Sequence, residues 1–219
     1  MAGDLQGFYQ ITLLTLMVTG AALVISTLIG IPVGALLGLR RFRARQMLKA
    51  LIYTGMGLPP VVVGLAVYLL LSRSGPLGGL SWLFSPAAMV FAQTLLAFPL
   101  VAGLTMSAIE ALDPELRLQL RSLGATSLQE TISILREARG GVMASVVAGF
   151  GAIISEVGAA MLVGGNIEGS TRVLSTAIVL ETRKGNFGLG LALGGALLSL
   201  AFSVNWILLR LHRPMWRWR

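Results

Sequence analysis

Long apolar runs dominate the sequence, and short polar segments separate them. Several of these runs reach about 20 residues, the length that an α-helix needs to cross the hydrocarbon core of a bilayer. The pattern predicts five membrane-spanning helices, at about Ile11–Leu39, Ala50–Leu71, Pro86–Ile109, Gly140–Gly165 and Phe187–Leu209. The predicted fold class is therefore all-α, in the form of a polytopic membrane protein.

The first apolar run is longer than a bilayer requires. Its 29 residues, Ile11–Leu39, would form a straight helix of about 43 Å. Such a helix must tilt, project beyond the bilayer or break. Gly30-Ile31-Pro32 is the place predicted for a kink, because proline removes a backbone donor and clashes with the preceding turn.

The lysines and arginines predict how the chain is oriented. Thirteen of the 17 fall on one side of the predicted spans: Arg40, Arg41, Arg43, Arg45, Lys49, Arg117, Arg121, Arg136, Arg139, Arg210, Arg213, Arg217 and Arg219. The other side holds Arg73, Arg172, Arg183 and Lys184. Because cytoplasmic loops carry the excess of basic residues, the N-terminus is predicted outside and the C-terminus in the cytoplasm. The chain is therefore predicted to be a multi-pass plasma (inner) membrane protein, with a transmembrane domain over about 10–210 and a basic cytoplasmic tail over 211–219.

The composition agrees with a membrane protein and excludes several other classes. Charged residues make up 12% of the chain, about half of what a soluble domain carries. The net charge of +8 could indicate a nucleic-acid partner, but the basic residues lie in short segments between apolar runs, and no soluble domain exists to carry such a site. There is no cysteine and one histidine, His212, so neither disulfides nor a metal site are predicted. Membrane lipid is the expected surrounding.

The polar segment of residues 110–140, between the third and fourth predicted spans, has the pattern of two helices. Asp113-Pro114 is typical of a helix start, with aspartate as N-cap and proline in the first turn. That helix should end at Gly124, the residue best suited to a left-handed C-terminal cap. Ser127-Leu128-Gln129-Glu130 has the spacing of a capping box. The segment is therefore predicted to form a sharp corner centred on glycine.

Apolar and basic side chains alternate on the first of these helices. Leu116, Leu120 and Leu123 should share one face, with Arg117 and Arg121 forming a stripe beside it. An apolar face on a cytoplasmic segment must be covered by something. It could fold back on the chain's own helix ends, or it could dock into a groove of another protein.

The run Arg121-Ser122-Leu123-Gly124-Ala125-Thr126, with Ile134 ten residues after the glycine, resembles the cytoplasmic "EAA loop" of type I ABC importer permeases. The sequence departs from that family's pattern in two places, with Leu118-Gln119-Leu120 where Glu-Ala-Ala is usual and Arg136-Glu137 where Leu-Pro is usual. The resemblance implies coupling helices that insert into a cleft of an ATPase subunit. The residues it assigns to coupling are Arg117, Leu120, Arg121, Leu123, Gly124 and Ala125.

The resemblance also implies an assembly. Two copies of the chain would surround a central pathway, with a dimer of ATP-binding subunits in the cytoplasm and an extracytoplasmic oxyanion-binding protein above. The sequence contains no G-x-x-x-x-G-K-[ST] loop. The chain is thus predicted to be a transporter subunit and not an enzyme, with no cofactor of its own, while ATP and magnesium are used by the partner ATPase.

Glu156 is a carboxylate inside an otherwise uncharged apolar run. Such a group is costly in a membrane and seldom faces lipid. One reading is a hydrogen-bonded glutamate that ties two helices together. The other is a group that lines or gates a translocation pathway.

The sequence around and after Glu156 carries a more specific resemblance. It resembles tungstate-type permeases, which are related to molybdate and sulfate permeases, over about residues 10–210. The matching stretches are Gly149-Phe150-Gly151, Ile154–Ala159, Val163–Ile167, Thr171-Arg172-Val173 and Leu180-Glu181-Thr182. The implied function is passage of a tetrahedral oxyanion, tungstate in the first place, with molybdate or sulfate as alternatives.

Donors for an oxyanion occur just after the fourth predicted span. A dianion that leaves water needs hydrogen-bond donors in place of its hydration shell. The backbone N–H groups of Gly164 and Gly165, the Asn166 amide and the Thr171 hydroxyl could supply them, and Arg172 could add charge. The alternative for each is a capped helix end or a surface residue.

The connection between the fourth and fifth predicted spans, Asn166–Asn186, contains an apolar stretch at Val173–Leu180 that is too short to cross a membrane. It is predicted to be a short helix in the outer interface, with a partly ordered loop as the alternative. A secondary transporter or channel is the competing function. It would be expected to show internal repeats or paired broken helices with ionisable residues at midplane, and neither is evident in the sequence.

Overall fold

Helices make up nearly all regular structure in the computed structural model, which describes the backbone of residues 2–211 and the side chains of residues 7–210. The ten α-helices of this part are α1 Ala2–Leu39, α2 Arg45–Met56, α3 Pro60–Leu71, α4 Pro86–Glu110, α5 Pro114–Ser122, α6 Ser127–Glu137, α7 Arg139–Ile154, α8 Gly158–Gly164, α9 Leu174–Arg183 and α10 Phe187–Leu211. A 3-10 turn spans Gly78–Leu80, and the described residues contain no strand. The all-α prediction is confirmed. The predicted basic tail lies outside the described residues, except for Leu211.

The first helix runs unbroken through Gly30-Ile31-Pro32, the place predicted for a kink. Pro32 lies inside α1, which packs along α4. Small residues permit this close approach. A Cβ atom at Gly34 would overlap the carbonyl oxygen of Ala102, and one at Gly30 would lie 3.0 Å from the Cβ of Val101.

The second predicted span, Ala50–Leu71, is broken. Helices α2 and α3 have 12 residues each and meet at 105°. Two consecutive prolines, Pro59 and Pro60, stand at the break. Neither has an N–H to continue the ladder of α2, and Leu58 is disfavoured from helical geometry because a proline follows it. Each half is only about 18 Å long, so neither half crosses a bilayer alone.

The fourth predicted span, Gly140–Gly165, is also broken. Helix α7 ends at Ile154 and α8 begins at Gly158, so Glu156 lies between two helices and not within one. Helix α8 packs closely on α3, where a Cβ at Gly64 would lie 2.6 Å from the Cα of Ala159. At its other end, α7 meets α6 at 70°.

Three helical segments are long and apolar enough to cross a membrane: Gly7–Leu39, Pro86–Glu110 and Phe187–Arg210. The number rises to five if the bent pairs α2–α3 and α6–α7 each count as one span. The structure is therefore that of a polytopic membrane protein with three to five candidate spans. The sequence-based count of five is the upper end of this range.

The connection between α8 and α10 forms a helix, as predicted. Helix α9, Leu174–Arg183, buries Leu174 and Ala177 against Leu193 of α10. The backbone N–H of Leu174 donates to the hydroxyl of Thr15 on α1 at 2.9 Å. These contacts exclude the alternative of a partly ordered loop.

Candidate functional site

The predicted corner after α4 is present. Helix α5 starts at Pro114, and the carboxylate of Asp113 accepts a hydrogen bond from the Glu115 N–H at 2.8 Å. The helix is followed by Gly124 in the left-handed region, with φ of +79°. No atom lies within 4 Å of the position that a Cβ of Gly124 would occupy, so glycine is required there for its backbone conformation and not for space.

The second helix of the corner begins one residue earlier than predicted. Its N-cap is Thr126, whose N–H donates to the side-chain carbonyl of Gln129 at 2.8 Å while its hydroxyl accepts from the Gln129 N–H. The predicted box of Ser127 and Glu130 does not form. Thr126/Gln129 and Ser127/Glu130 both match the S/T-x-x-E/Q pattern, so the pattern alone could not decide between them. The shift releases the carboxylate of Glu130 for another role.

Glu130 binds two arginines of α5 from a buried position. Glu130 is 6% exposed. One carboxylate oxygen accepts from the Arg117 Nε at 3.0 Å and the other from the Arg121 Nε at 3.1 Å. Arg117 also donates through an NH2 group to the carbonyl oxygen of Leu39 at 2.7 Å. We call these four groups the Glu130 clamp, because they join α5, α6 and the end of α1.

The arginines keep Glu130 ionised. Burial opposes ionisation of this carboxyl, but the hydrogen bonds and the charges of Arg121 and Arg117 outweigh it and lower the pKa of Glu130. A lowered pKa means that the clamp stabilises the corner above the carboxyl's ordinary pKa. This contribution is lost as the pH falls through the lowered pKa of Glu130.

The leucines of the corner do not share one face as predicted. Leu116 and Leu120 are half-buried, and Leu120 packs on the chain's own core with Leu39 and Ile134. Leu123 is 85% exposed. The reason is that α5 ends at Ser122, so the helical periodicity that would align Leu123 with Leu120 ceases at the turn.

A different pair of leucines is exposed at the corner. Leu128, in the first turn of α6, is 69% exposed. With Leu123 it forms what we call the leucine tip, on either side of Gly124. Ala125, between them, is half-buried. Leu128 and Glu130 are not among the predicted site residues. Only the turn geometry brings Leu128 into this group, and only the shifted N-cap leaves Glu130 free to bind the arginines.

Glu156 is hydrogen-bonded within the chain through one carboxylate oxygen and through its backbone carbonyl. The residue is 7% exposed, and its Oε1 accepts from the Ala159 N–H at 2.8 Å at the start of α8. The carbonyl oxygen of Glu156 accepts from the Ser175 hydroxyl of α9 at 2.8 Å. The side chain thus satisfies a helix end, while the backbone provides the tie to a second helix.

We expect Glu156→Gln to retain assembly, because the amide oxygen can replace the carboxylate as acceptor for the Ala159 N–H. Glu156→Leu leaves that buried donor unpaired and should cost about 1 kcal/mol. Thermal melting of the purified protein in detergent checks this order. A Gln variant that assembles like wild type but transports nothing would instead assign the carboxylate to the pathway.

Two of the predicted oxyanion donors are already used inside the chain. The Gly165 N–H donates to the Met161 carbonyl at 3.0 Å, within the left-handed end of α8. The Thr171 hydroxyl is buried, donates to the Gly164 carbonyl and accepts from the Ile167 N–H at 2.9 Å. A Cβ at Gly164 would lie 2.8 Å from the sulfur of Met89. The Gly165 N–H and the Thr171 hydroxyl are thereby used in the folding of this end, and contact with Met89 restricts position 164 to glycine.

Asn166 and Arg172 are less fully occupied. Asn166 has a positive φ of 52°, and its Oδ1 is buried without a hydrogen-bond partner among the described residues. Arg172 pairs with Glu168 at 3.1 Å, and its Nε is likewise buried without a partner in that part of the chain. Arg172 lines a cavity of about 390 Å³ against the N-terminal part of α1, with Gln10 and Met17 in its wall. These two residues remain as candidate ligand groups at this end.

Related proteins share this sequence over most of its length. A probable anion ABC transporter permease protein of Haloferax volcanii is 44% identical over 210 residues, covering 93% of this chain and 90% of the relative. The tungstate uptake system permease protein TupB of Peptoclostridium acidaminophilum is 40% identical, with the same coverage. The molybdenum transport system permease protein ModB of Haemophilus influenzae is 30% identical, covering 75% of this chain and 76% of the relative.

Solved structures agree with the fold. An inward-facing crystal form of the MetNI methionine ABC transporter superposes with a TM-score of 0.73 at 21% identity, covering 97% of this chain and 98% of that chain. An amino acid ABC transporter crystallised with histidines gives a TM-score of 0.70 at 19% identity, over 97% of this chain and 96% of that chain. Residues 30–217 match the family described as binding-protein-dependent transport system inner membrane component. The chain belongs to this family of ABC transporter permease subunits.

Proposed function

We propose that the chain forms the translocation pathway of an ATP-driven importer for a tetrahedral oxyanion, tungstate. The observation that carries this function is the corner formed by α5 and α6, because it indicates coupling to a partner subunit. The Glu130 clamp fixes α5 and α6 against the end of α1, and yet the leucine tip is left exposed. A rigid unit with an uncovered apolar tip is suited to transmitting force from a partner subunit. Within the family, relatives named for tungstate uptake are 40% and 38% identical, against 30% for those named for molybdenum transport.

The partner at the corner is a separate ATPase in this proposal. Leu123 and Leu128 would insert into its cleft, with Arg117 and Arg121 beside them. Leu120 would support the seat from behind by packing on Ile134. Two copies of the chain would enclose the pathway above a dimer of ATP-binding subunits. An extracytoplasmic oxyanion-binding protein would deliver the anion to the end where Asn166 and Arg172 lie.

The proposed topology has five spans, with the N-terminus outside and the C-terminus in the cytoplasm. Contacts among the basic residues support it. Arg45 and Lys49 pair with Glu110 at the end of α4, and Arg117 binds the end of α1, so these basic segments gather at one end of the bundle. Such clustering is typical of a cytoplasmic end.

Reporter fusions test this topology. A reporter after Arg219 should be active only as a cytoplasmic reporter, and one inserted at residues 72–79 only as an external one. Alkaline phosphatase and green fluorescent protein fusions, which are active on opposite sides, measure this directly. Given an N-terminus outside, an external signal after Arg219 would contradict the odd number of spans.

Transport of the proposed substrate is tested in liposomes that contain the chain, its ATPase and its binding protein. We expect tungstate uptake that requires ATP inside, because in this proposal the ATPase drives the transport cycle. A dianion does not enter a low-dielectric path unaided, since its desolvation is costly. Uptake is measured by mass spectrometry of the metal, with molybdate and sulfate as competitors. Preferential uptake of molybdate would reassign the substrate. Uptake driven by an ion gradient without ATP would indicate a secondary transporter.

A further inference from the structure

A basic hollow of about 570 Å³ lies beside the C-terminal end of α1. Four arginines line it, Arg40 and Arg41 from the segment after α1 and Arg117 and Arg121 from α5. Pro114 and Leu118 of α5 also line it. We call this feature the arginine hollow. It shares Arg117 and Arg121 with the proposed ATPase contact, but neither residue of the leucine tip lines it.

The charge of the arginine hollow is poorly compensated. Glu130 neutralises part of the charge of Arg117 and Arg121. Arg40 and Arg41 are exposed, and neither pairs with a carboxylate within the described residues. Four guanidinium groups line the hollow and no carboxylate does, while Asp113 lines the adjoining cavity that shares Arg41 and Arg117. A net positive charge therefore remains at the hollow. Such an excess favours an anionic ligand.

Two of the arginines are held in position before any ligand arrives. Arg117 and Arg121 each bind Glu130 through their Nε, and each also uses one NH2 group. In both side chains the second terminal nitrogen makes no hydrogen bond to any described residue. A planar guanidinium that is fixed along one edge can present its remaining donors with little loss of entropy.

Exposed apolar side chains are close to the hollow-lining arginines along the chain. Leu36, one turn before the end of α1, is 51% exposed, and Phe42 is 39% exposed. Leu118, in the wall itself, is 64% exposed. A ligand with an anionic head and an apolar tail would satisfy both kinds of surface. Basic pockets just beyond the ends of membrane helices bind lipid headgroups in this way.

The negative end of the α1 dipole would oppose an anion here, but two of its last carbonyl groups already accept from arginine side chains. The Leu37 carbonyl accepts from the Arg45 Nε at 2.8 Å, and the Leu39 carbonyl accepts from Arg117. Cationic donors thus cover the helix end. We propose that the arginine hollow binds the phosphate of an anionic phospholipid headgroup, with the acyl chains against Leu36.

The test measures lipid retention by the purified full-length protein in native mass spectrometry. The probes are phosphatidylglycerol and the neutral phosphatidylcholine. We expect wild type to retain phosphatidylglycerol preferentially. The double variant Arg40→Gln/Arg41→Gln should bind it roughly tenfold to thirtyfold more weakly, since each arginine near an anionic surface contributes about fivefold. Phosphatidylcholine binding should not change.

Arg43→Gln is the matched control, because Arg43 is exposed in the same segment but does not line the hollow. It should change phosphatidylglycerol retention by less than about twofold. An equal loss in the Arg43 variant would reduce the effect to general surface charge and overturn the site.

Two other outcomes would also overturn the proposal. Displacement of phosphatidylglycerol by excess orthophosphate would assign the hollow to a soluble phosphate. Unchanged lipid retention in the double variant, together with reduced co-purification of the ATPase, would assign the hollow to an acidic surface of that partner.

Discussion

Replacing both Leu123 and Leu128 with alanine will weaken binding of the ATPase by more than about tenfold. Both side chains are exposed, at 85% and 69%, so their truncation should cost the fold of this chain little. Truncating a leucine that is buried at an interface removes about 1–2 kcal/mol of contact and packing energy. The two together therefore exceed the 1.4 kcal/mol of a tenfold change. Co-purification of the ATPase from detergent, and its substrate-stimulated hydrolysis in liposomes, are the measurements.

Leu120→Ala, on α5, provides the contrast. Leu120 packs on the chain's own core, so its truncation should lower the melting temperature of the isolated permease. Its effect on ATPase binding should be smaller than that of the tip variant. If the tip variant binds and stimulates the ATPase like wild type, the leucine tip is not the contact and the coupling proposal loses its basis.

Glu130→Ala will loosen the corner even without a partner. The substitution leaves Arg117 and Arg121 without their shared carboxylate and breaks the link between α5 and α6. Removing one partner of a buried ion pair costs about 3–5 kcal/mol, but the arginine side chains are 32% and 54% exposed. Water reduces the loss to about 2 kcal/mol. Hydrogen exchange of the 114–137 backbone, followed by mass spectrometry, should show faster exchange in the variant.

Glu130→Gln separates charge from shape. It keeps an acceptor but not the ionised carboxylate, so its exchange should lie between wild type and alanine at neutral pH. Because the arginines lower the pKa of Glu130, wild type should approach the Gln variant only as the pH falls below the ordinary range of a glutamate. Equal exchange in all three proteins at neutral pH would mean that the clamp does not hold the corner.

The corner shows how far local sequence signals reach. The Asp113 cap and the left-handed Gly124 could be predicted because each acts within a few residues of itself. The partner of Glu130 could not, because two capping boxes overlapped and only the position of α5 against α6 decided between them. The predicted leucine face was wrong for a related reason, since it extended helical periodicity past Ser122, where the helix ends.

The spans show the same limit on a larger scale. Hydropathy located every apolar segment, yet it did not detect that two of them are broken. The break at Pro59-Pro60 carried a local signal, the proline pair. The break at Glu156 carried no such local signal. A lone carboxylate in an apolar run is compatible with a buried group within a helix, whereas here it accepts from the first turn of α8. Pro32 shows the opposite case, since α1 continues through a proline.

Site-specific cross-linking from the leucine tip tests the coupling proposal most directly. The chain has no cysteine, so Leu123→Cys creates a single thiol that can carry a photoreactive maleimide. Leu191→Cys is the matched control, because Leu191 is 78% exposed on α10, away from the corner. We predict a covalent adduct with the ATPase from position 123 and none from position 191. Adducts of equal yield from both positions, or none from position 123 in an active transporter, would contradict it.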